Sequence, residues 1–271
     1  MTDRDIRRLA LSPKKNPFFV ARDVYNDTKG LPDVSISTVK RMLRSQGLFG
    51  RVAAKKPLIS EKNRRKRLAW CKSYLSLDAE MWRKIVFSDE SKVELFSSRR
   101  RFVRRRIGQR FEKQFVCRTV KGGGFSLMVW GCIKGDGSKM LYRCPRILNS
   151  DSYQNILSAA LIPFLDGDSI FMHDGAPCHR SASTQKYIDK RHICAISDWP
   201  PQSPDINIIE SLWSILKDKL VRREPKTKED LWKILLEEWE RIDREVIKKL
   251  YDSIPSRLKA IIKCKGLHTK Y

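Results

Sequence analysis

The spacing of apolar residues divides the chain into a helical first part and a mixed second part. Apolar positions at helical spacing predict three short helices in the first fifty residues, at 3–11, 19–25 and 35–47. The segment 12–17 contains two prolines and is predicted to end the first of these helices. Another helix is predicted from residue 62 to residue 75.

Beyond residue 81 the pattern changes to short runs of consecutive apolar residues. Strands are predicted at 84–89, 92–96, 125–133, 169–174 and 193–196. Helices are predicted at 151–162, 181–190, 207–221, 228–242 and 245–263, the last broken near Pro255. Strands followed by alternating strands and helices indicate an α/β domain with a mixed sheet. The expected organisation is a small all-α segment at 1–50, a connector at 51–80 and the α/β domain at 81–271.

The third predicted helix has the features of a DNA-recognition helix. It begins at Ser35, a favourable N-cap, and it ends at Gly47. Four outward positions carry hydroxyl or cationic groups that suit the major groove, namely Ser37, Lys40, Arg41 and Arg44. A small basic helical bundle without this role is the alternative that the segment leaves open.

The connector is strongly cationic. Its first residues are short-chained and basic, which is typical of an arm in a narrow minor groove, and Arg51, Lys55 and Lys56 are the expected contacts there. The run 62–67 lies on a predicted helix, and we expect Arg64 and Arg65 to contact DNA phosphates. A nuclear-localisation signal and a solvated helix face are the alternatives for this run.

Charge and composition point to a nucleic-acid partner. The 271 residues carry a formal charge of +25, and the first 120 hold 31 Lys and Arg against 12 Asp and Glu. A hydrophobic fraction of 41% is enough for a folded core. No stretch is long and apolar enough for a membrane span, and the N-terminus lacks a signal-peptide core. Seven scattered cysteines therefore indicate free thiols in a reducing compartment.

Three acids are placed where they can form one site. Asp89 and Asp174 each end a predicted strand, and strand ends at one edge of a sheet lie side by side. Glu210 shares its helix with the core row Leu212, Leu216 and Leu220 but projects from another face. Carboxylates without His or Cys favour Mg²⁺ or Mn²⁺, and two such ions can promote phosphodiester displacement. For any single acid, a helix cap or a surface charge is the alternative. Zinc bound by the His and Cys residues between 173 and 194 is disfavoured by their spacing.

Five ordered motifs resemble the DDE transposases of the Tc/mariner superfamily. The motifs are the runs 87–91 (FSDES), 129–131 (VWG), 173–179 (HDGAPCH), 198–205 (DWPPQSPD) and 210–213 (ESLW), and the likeness extends to the closing 265–271 (KGLHTKY). The resemblance implies an RNase H-like catalytic domain behind a small helix-turn-helix domain. It also implies cut-and-paste transposition at terminal inverted repeats of double-stranded DNA, insertion at TA dinucleotides, and Asp89, Asp174 and Glu210 as the catalytic, metal-binding acids. A homodimer in the nucleus, without a small-molecule substrate, is expected with it.

The chain also departs from the pattern of this family. Members usually have another helix-turn-helix ahead of the one at 35–47, so the chain resembles a shortened copy. Two other functions stay open on the residues alone. One is a non-catalytic, relict or domesticated DNA-binding protein, and the other is an RNase H or another nuclease of the same fold.

Overall fold

The computed structural model describes residues 2–53, 56–94, 104–112, 116, 125–220, 223 and 225–271. The chain forms two compact units, Met1–Lys56 and Pro57–Tyr271. The boundary between them lies inside the segment 51–80 that was expected to be a connector. Most of that segment belongs to the second unit, because its helix buries Trp70 and Cys71 in the core there.

Three helices around a small apolar core make up the first unit. They are α1 (Asp3–Lys15), α2 (Ala21–Asp27) and α3 (Ile36–Ser45). Leu9, Val24 and Val39, one from each helix, form the buried core. The Ser35 hydroxyl accepts a hydrogen bond from a backbone N–H in the first turn of α3, and Gly47 follows that helix with a φ of 72°. The predicted limits of α3 are confirmed.

Helix α1 is longer than its sequence pattern predicted. The prediction that it ends at Leu11 was wrong, since it continues through Pro13 to Lys15. Pro13 lies in the last turn, where the missing proline N–H removes a single helical hydrogen bond. The helix is closed one residue later, where the Asn16 N–H donates to the Ser12 carbonyl oxygen.

A four-stranded mixed sheet organises the second unit. Its strands are β1 (Ile85–Glu94), β2 (Ser126–Ile133), β3 (Lys139–Arg143) and β4 (Ile170–Met172), in the order β3-β2-β1-β4. Strand β1 is antiparallel to β2 and parallel to β4. The short, polar-flanked β3 was not predicted. The strand predicted at 193–196 is reduced to one bridge, between Ala195 and Phe171.

One continuous strand replaces two predicted ones. The polar residues 88–91 were interpreted as the end of a strand, yet β1 pairs with β2 without interruption from Phe87 to Glu94. Ladder hydrogen bonds use the main chain, so polar side chains do not break the pairing. Asp89 therefore lies in the middle of β1 and not at its end, which corrects the sequence prediction. Residues 95 and 96 of the second predicted strand lie outside the described residues.

Helices cover both faces of the sheet. Helices α4 (Glu61–Tyr74) and α5 (Ala79–Lys84) precede β1, α6 (Ser150–Ile156) follows β3, α7 (Pro177–Arg180) and α8 (Ala182–Lys190) follow β4, and α9 (Ile209–Leu220), α10 (Lys228–Glu240), α11 (Arg244–Asp252) and α12 (Ile254–Lys263) come last. Phe87 is buried with residues of α9 to α12, whereas its neighbour Val86 is buried with residues of α6 and α8. Because successive strand residues face opposite sides, the sheet is the middle layer of three.

The basic helix α4 is joined to the rest of the second unit through a buried arginine. The Arg67 side chain is 0% exposed, and its Nη2 lies 2.8 Å from Oδ2 of Asp205. Its Nε donates to the carbonyl oxygen of Gly266 at 3.0 Å. Gly266 has a φ of 86°, and a Cβ on it would lie 2.3 Å from the Arg64 carbonyl oxygen. The closing segment 265–271 is thereby packed against α4.

Two further observations concern the length of the helices and the state of the cysteines. Among the described residues, no helix has the length and apolar character needed to cross a bilayer. The six cysteines of the described ranges are all free thiols, in agreement with the prediction.

Candidate active site

The parallel pairing of β1 with β4 brings two of the three acids side by side. Phe87 pairs with Met172. Asp89 and Asp174 each follow this last pair by two residues, Asp89 within β1 and Asp174 in the loop after β4. Neighbouring strands are about 4.8 Å apart, so the two aspartates lie on adjacent segments of the chain. The Ser88 hydroxyl donates to the Met172 carbonyl oxygen at 2.9 Å, which holds the end of β4 against β1.

Glu210 reaches the same place from the first turn of α9. Asn207, two residues before that helix, is buried, and its Nδ2 donates to the Ser88 carbonyl oxygen at 3.1 Å. Leu212 and Leu216 are fully buried on the core side of α9, as predicted. The start of α9 is therefore attached to the strand position next to Asp89, and Glu210 is placed beside the two aspartates.

One cleft of about 1130 Å³ is lined by all three acids. Asp174 and Glu210 are exposed in it, and Asp89 is half-buried. An apolar wall is contributed by Trp70, Trp199, Pro200 and Pro201, and cationic side chains by Lys66 and Arg180. Cations and apolar surfaces beside a cluster of carboxylates suit a phosphodiester chain with its bases and sugars.

Asp89 accepts a hydrogen bond from Trp213, whose ring packs directly against Gly131. The Trp213 Nε1–H donates to Asp89 Oδ2 at 2.9 Å. Gly131 is the direct partner of Asp89 on β2, and a Cβ there would lie 2.7 Å from the Trp213 ring. Burial, together with the charges of Glu210 and Glu90, raises the pKa of Asp89 well above its usual range.

Asp174 is held by a short helix that follows it. The Ala176 N–H donates to Asp174 Oδ1 at 2.9 Å, and His179 Nδ1 lies 2.8 Å from the same oxygen. The opposite nitrogen of His179, Nε2, lies 3.2 Å from Glu90 Oε1. Burial opposes the charge of His179, but its bonds to the two carboxylates outweigh burial and raise its pKa to about 10. The hydrogen bond from His179, in turn, lowers the pKa of Asp174.

A stack of rings lies behind these carboxylates. The ring centroids of His179 and Tyr153 are 4.1 Å apart, and those of His179 and His173 are 5.1 Å apart. The hydroxyl of Tyr153 lies 2.9 Å from His173 Nδ1. Burial and the nearby charge of His179 lower the pKa of His173 to about 4, so this second imidazole is neutral at physiological pH.

The donor set of the cleft suits a hard divalent cation. Oxygen ligands are available from the three carboxylates and from Asn207, whose Oδ1 is buried without a hydrogen-bond partner among the described residues. Burial and, after it, the charges of Glu210 and Glu90 raise the pKa of Asp89, and a bound cation would compensate the negative charge. Within the described ranges no three His, Cys, Asp or Glu side chains already converge as a metal centre requires. The acids would therefore close on an ion from their present hydrogen-bonded positions.

The residues predicted to contact DNA occupy different environments. Those of α3 are exposed, as are Arg51 and Lys56 of the arm, whereas Lys55 lies outside the described residues. The exposed set on α3 comprises Ser37, Lys40, Arg41 and Arg44. On α4, Arg64 and Arg65 both pair with Glu61, at 2.7 and 2.9 Å, and Arg64 also donates to the Lys265 carbonyl oxygen. DNA contact by all of these residues stays a prediction.

Four residues with a place in this site were given no role from the sequence. Glu90, His179 and Trp213 lie inside the motifs quoted above, and Asn207 lies between two of them. For the three that lie inside motifs, that position was the only available signal. The contacts that define these roles join residues at least 89 positions apart in the chain, so only the tertiary structure reveals them.

Comparisons with known proteins identify the family of the chain. Residues 84–232 match a family described as "DDE superfamily endonuclease", and residues 4–76 match one described as "Transposase". The Tc1 transposase of Caenorhabditis elegans is 37% identical over 99% of this chain and 100% of its own length. The chain belongs to the Tc1/mariner family of DDE transposases. Another relative, the Tcb2 transposase of Caenorhabditis briggsae, is 36% identical over the same shares of both chains.

Solved structures confirm the predicted fold class of the transposase. The pre-cleavage Mos1 transpososome superposes with a TM-score of 0.82 at 18% identity, over 98% of this chain and 80% of that one. The fold is an RNase H-like catalytic domain with a mixed sheet, preceded by a helix-turn-helix domain. Family membership makes the transposase a polynucleotidyl transferase with endonuclease activity.

Proposed function

We propose that this transposase cuts DNA at the terminal inverted repeats of its element and inserts the freed ends at TA dinucleotides, with Asp89, Asp174 and Glu210 as the catalytic acids. The observation that carries the proposal is the arrangement of these carboxylates around one cleft. They come from a strand, a loop and a helix that are far apart in the chain, and each lies within a motif of the family. A surface charge or a helix cap would not require this convergence.

The three acids have separate roles in this proposal. Asp89 and Asp174 would each present a carboxylate oxygen to Mg²⁺ or Mn²⁺, and Glu210 would ligate a second ion and orient the attacking water. The bound cations would supply Lewis acidity toward the attacking and leaving oxygens of the phosphodiester. The 3′-hydroxyl freed by hydrolysis attacks target DNA itself, so no protein nucleophile is required. Mos1 complexes described as "with Mg" and "with Mn" support the choice of ions.

Double-stranded DNA is the proposed partner of both units. The exposed cationic face of α3 would read the inverted repeats, and the arm at Arg51 and Lys56 would lie in the minor groove. Structures of Mos1 include a paired-end complex and a strand transfer complex, which supports DNA ends as the substrate. Two ends must be brought together, so we include a homodimer in the proposal. Because we propose chromosomal DNA as the target, we also propose that the enzyme acts in the nucleus.

Cleavage of a duplex that carries the flanking terminal repeats tests the proposal. We expect purified wild-type protein to nick this DNA in Mg²⁺ or Mn²⁺, and the matched Asp174→Ala protein to bind without nicking. Tight binding by the wild type without any cleavage would contradict the catalytic role. It would favour the alternative of a DNA-binding relict. Preferential cleavage of an RNA–DNA hybrid would indicate an RNase H activity instead.

A further inference from the structure

Two groups lie close to the Asp174 carboxylate, and both approach the same oxygen. One of them, His179 Nδ1, also lies 3.2 Å from the backbone carbonyl oxygen of Asp174. The Ala176 N–H and His179 Nδ1 approach Oδ1, at 2.9 and 2.8 Å, and neither approaches Oδ2. A carboxylate fixed through one oxygen retains its second oxygen for another ligand. Its orientation is then set before that ligand arrives, which lowers the ordering cost of binding.

His179 also links β1, which carries Asp89, to the loop that carries Asp174. Its Nε2 lies 3.2 Å from Oε1 of Glu90, which follows Asp89 on β1. Successive strand residues face opposite sides of a sheet, so Glu90 points away from the side on which Asp89 meets Trp213. The imidazole is 2% exposed and the Glu90 side chain 16%, so water screens this contact little. The link passes behind the cleft from β1 to the loop of Asp174.

Charge in this group is balanced in a way that suits cation binding. Ionised carboxylates only accept hydrogen bonds, so His179 uses both ring nitrogens as donors and is cationic. A lone cation beside Asp174 would repel a metal ion. Glu90 cancels that charge, and the trio Glu90, His179 and Asp174 keeps a net charge of −1.

We propose that His179 is a positioning residue that holds Oδ1 of Asp174 and leaves Oδ2 for the divalent cation, with Glu90 as its anchor and counter-charge. This inference rests on the proposed function, in which Asp174 is a metal ligand. Partners of this kind, which orient a metal ligand without touching the ion, typically change metal affinity by about 10–100-fold when removed.

Mn²⁺ binding by the full-length protein without DNA provides the direct test. The loss of the free-ion signal in electron paramagnetic resonance measures occupancy, and Asp174→Ala identifies the signal that belongs to this site. We expect His179→Leu to raise the dissociation constant for Mn²⁺ about 10-fold or more. His179→Asn should recover most of the affinity, because its side-chain amide lies where Nδ1 lies. His179→Gln places its amide nearer the Nε2 position and should not.

Two further variants separate positioning from general damage to the fold. Glu90→Gln keeps an acceptor for Nε2 but removes the counter-charge, so we expect it to weaken Mn²⁺ binding even though it does not contact Asp174. Tyr153→Phe removes a hydroxyl from the same ring stack and should leave Mn²⁺ affinity unchanged. In the nicking assay, His179→Leu should need more metal for half-maximal rate and should approach the wild-type rate at saturating metal.

The outcomes distinguish this inference from the function on which it rests. Equal Mn²⁺ affinity in the wild type and in His179→Leu would overturn the positioning role alone. Equal loss in the Leu and Asn variants would overturn it too, since the Nδ1–H donor would then be irrelevant. A wild-type protein with no Mn²⁺ signal that depends on Asp174 would overturn the proposed metal site, and this inference with it.

Discussion

Replacing Arg67 with Met should unfold the catalytic unit at a much lower temperature, although Arg67 belongs to a basic run that suggests DNA contact. Arg67 is fully buried and donates to the Gln202 carbonyl oxygen at 2.7 Å and to Ser203 Oγ at 2.8 Å. It also pairs with Asp205, which is 2% exposed. Methionine matches much of the length of the side chain but replaces none of these bonds.

The size of the stability loss follows from Asp205, which would stay buried without its partner. Asp205 Oδ1 already lacks a hydrogen-bond partner among the described residues, and Oδ2 would keep only the Thr269 hydroxyl, at 3.1 Å. Removing one member of a buried ion pair costs about 3–5 kcal/mol, because the other charge stays buried. For a unit of this size the melting temperature should fall by about 6–20 °C.

Thermal unfolding followed by circular dichroism measures this effect, with Lys66→Met as the matched control. Lys66 is the preceding residue of the same helix, but it is exposed and lines the cleft. Its replacement should leave the melting temperature unchanged. The plot of log DNA affinity against log salt should become less steep, by about 1 unit of slope. An Arg67→Met protein that melts within about 2 °C of the wild type would refute the reasoning. The double variant Arg67→Met, Asp205→Leu should regain part of the lost stability, because no buried charge remains unpaired.

Three other predictions follow from the site and from α3. Asp89→Asn should raise the metal-free free energy of unfolding by about 1 kcal/mol. The raised pKa of Asp89 means that the folded wild type binds a proton more tightly than the unfolded chain, so its stability falls as pH rises from the ordinary Asp pKa through the folded value. The Asn variant should not show this loss of stability with rising pH, and its melting temperature should not rise when Mg²⁺ is added. A rise on adding Mg²⁺ equal to that of the wild type would contradict the role of Asp89 as a metal ligand. Gly131→Ala should lower the free energy of unfolding by about 1–3 kcal/mol through its clash with Trp213. DNA nicking by this variant should fall by more than the fraction of unfolded protein explains. If folded Gly131→Ala protein nicks DNA at the wild-type rate, Trp213 does not position Asp89. Lys40→Gln and Arg44→Gln should each reduce the salt slope of DNA binding by about 1 without changing stability, as titrations from low to high salt will show. An unchanged slope would remove these residues from the interface.

Local patterns of apolar and polar residues were sufficient to predict much of the secondary structure. Helix α3 was predicted with its cap, its glycine stop and its exposed cations, because helix limits depend on residues only a few positions apart. The core row of α9 was predicted for the same reason. Strand limits were predicted less well. The polar stretch around Asp89 was interpreted as an end, since nothing local records that β2 pairs along the whole of β1.

Residue types, order and periodicity were enough to identify the family and the division into a basic helical part and an α/β part. The same local information selects Asp89, Asp174 and Glu210 as candidate catalytic acids. Only the folded chain shows that one cleft is lined by all three acids, that Arg67 is buried while Lys66 is exposed, and that His179 joins two carboxylates. Each of these depends on which distant segments pack together. The free energy of such contacts comes from burial and from pairing between residues far apart in the chain. A local pattern of apolar and polar positions contains no information about that pairing.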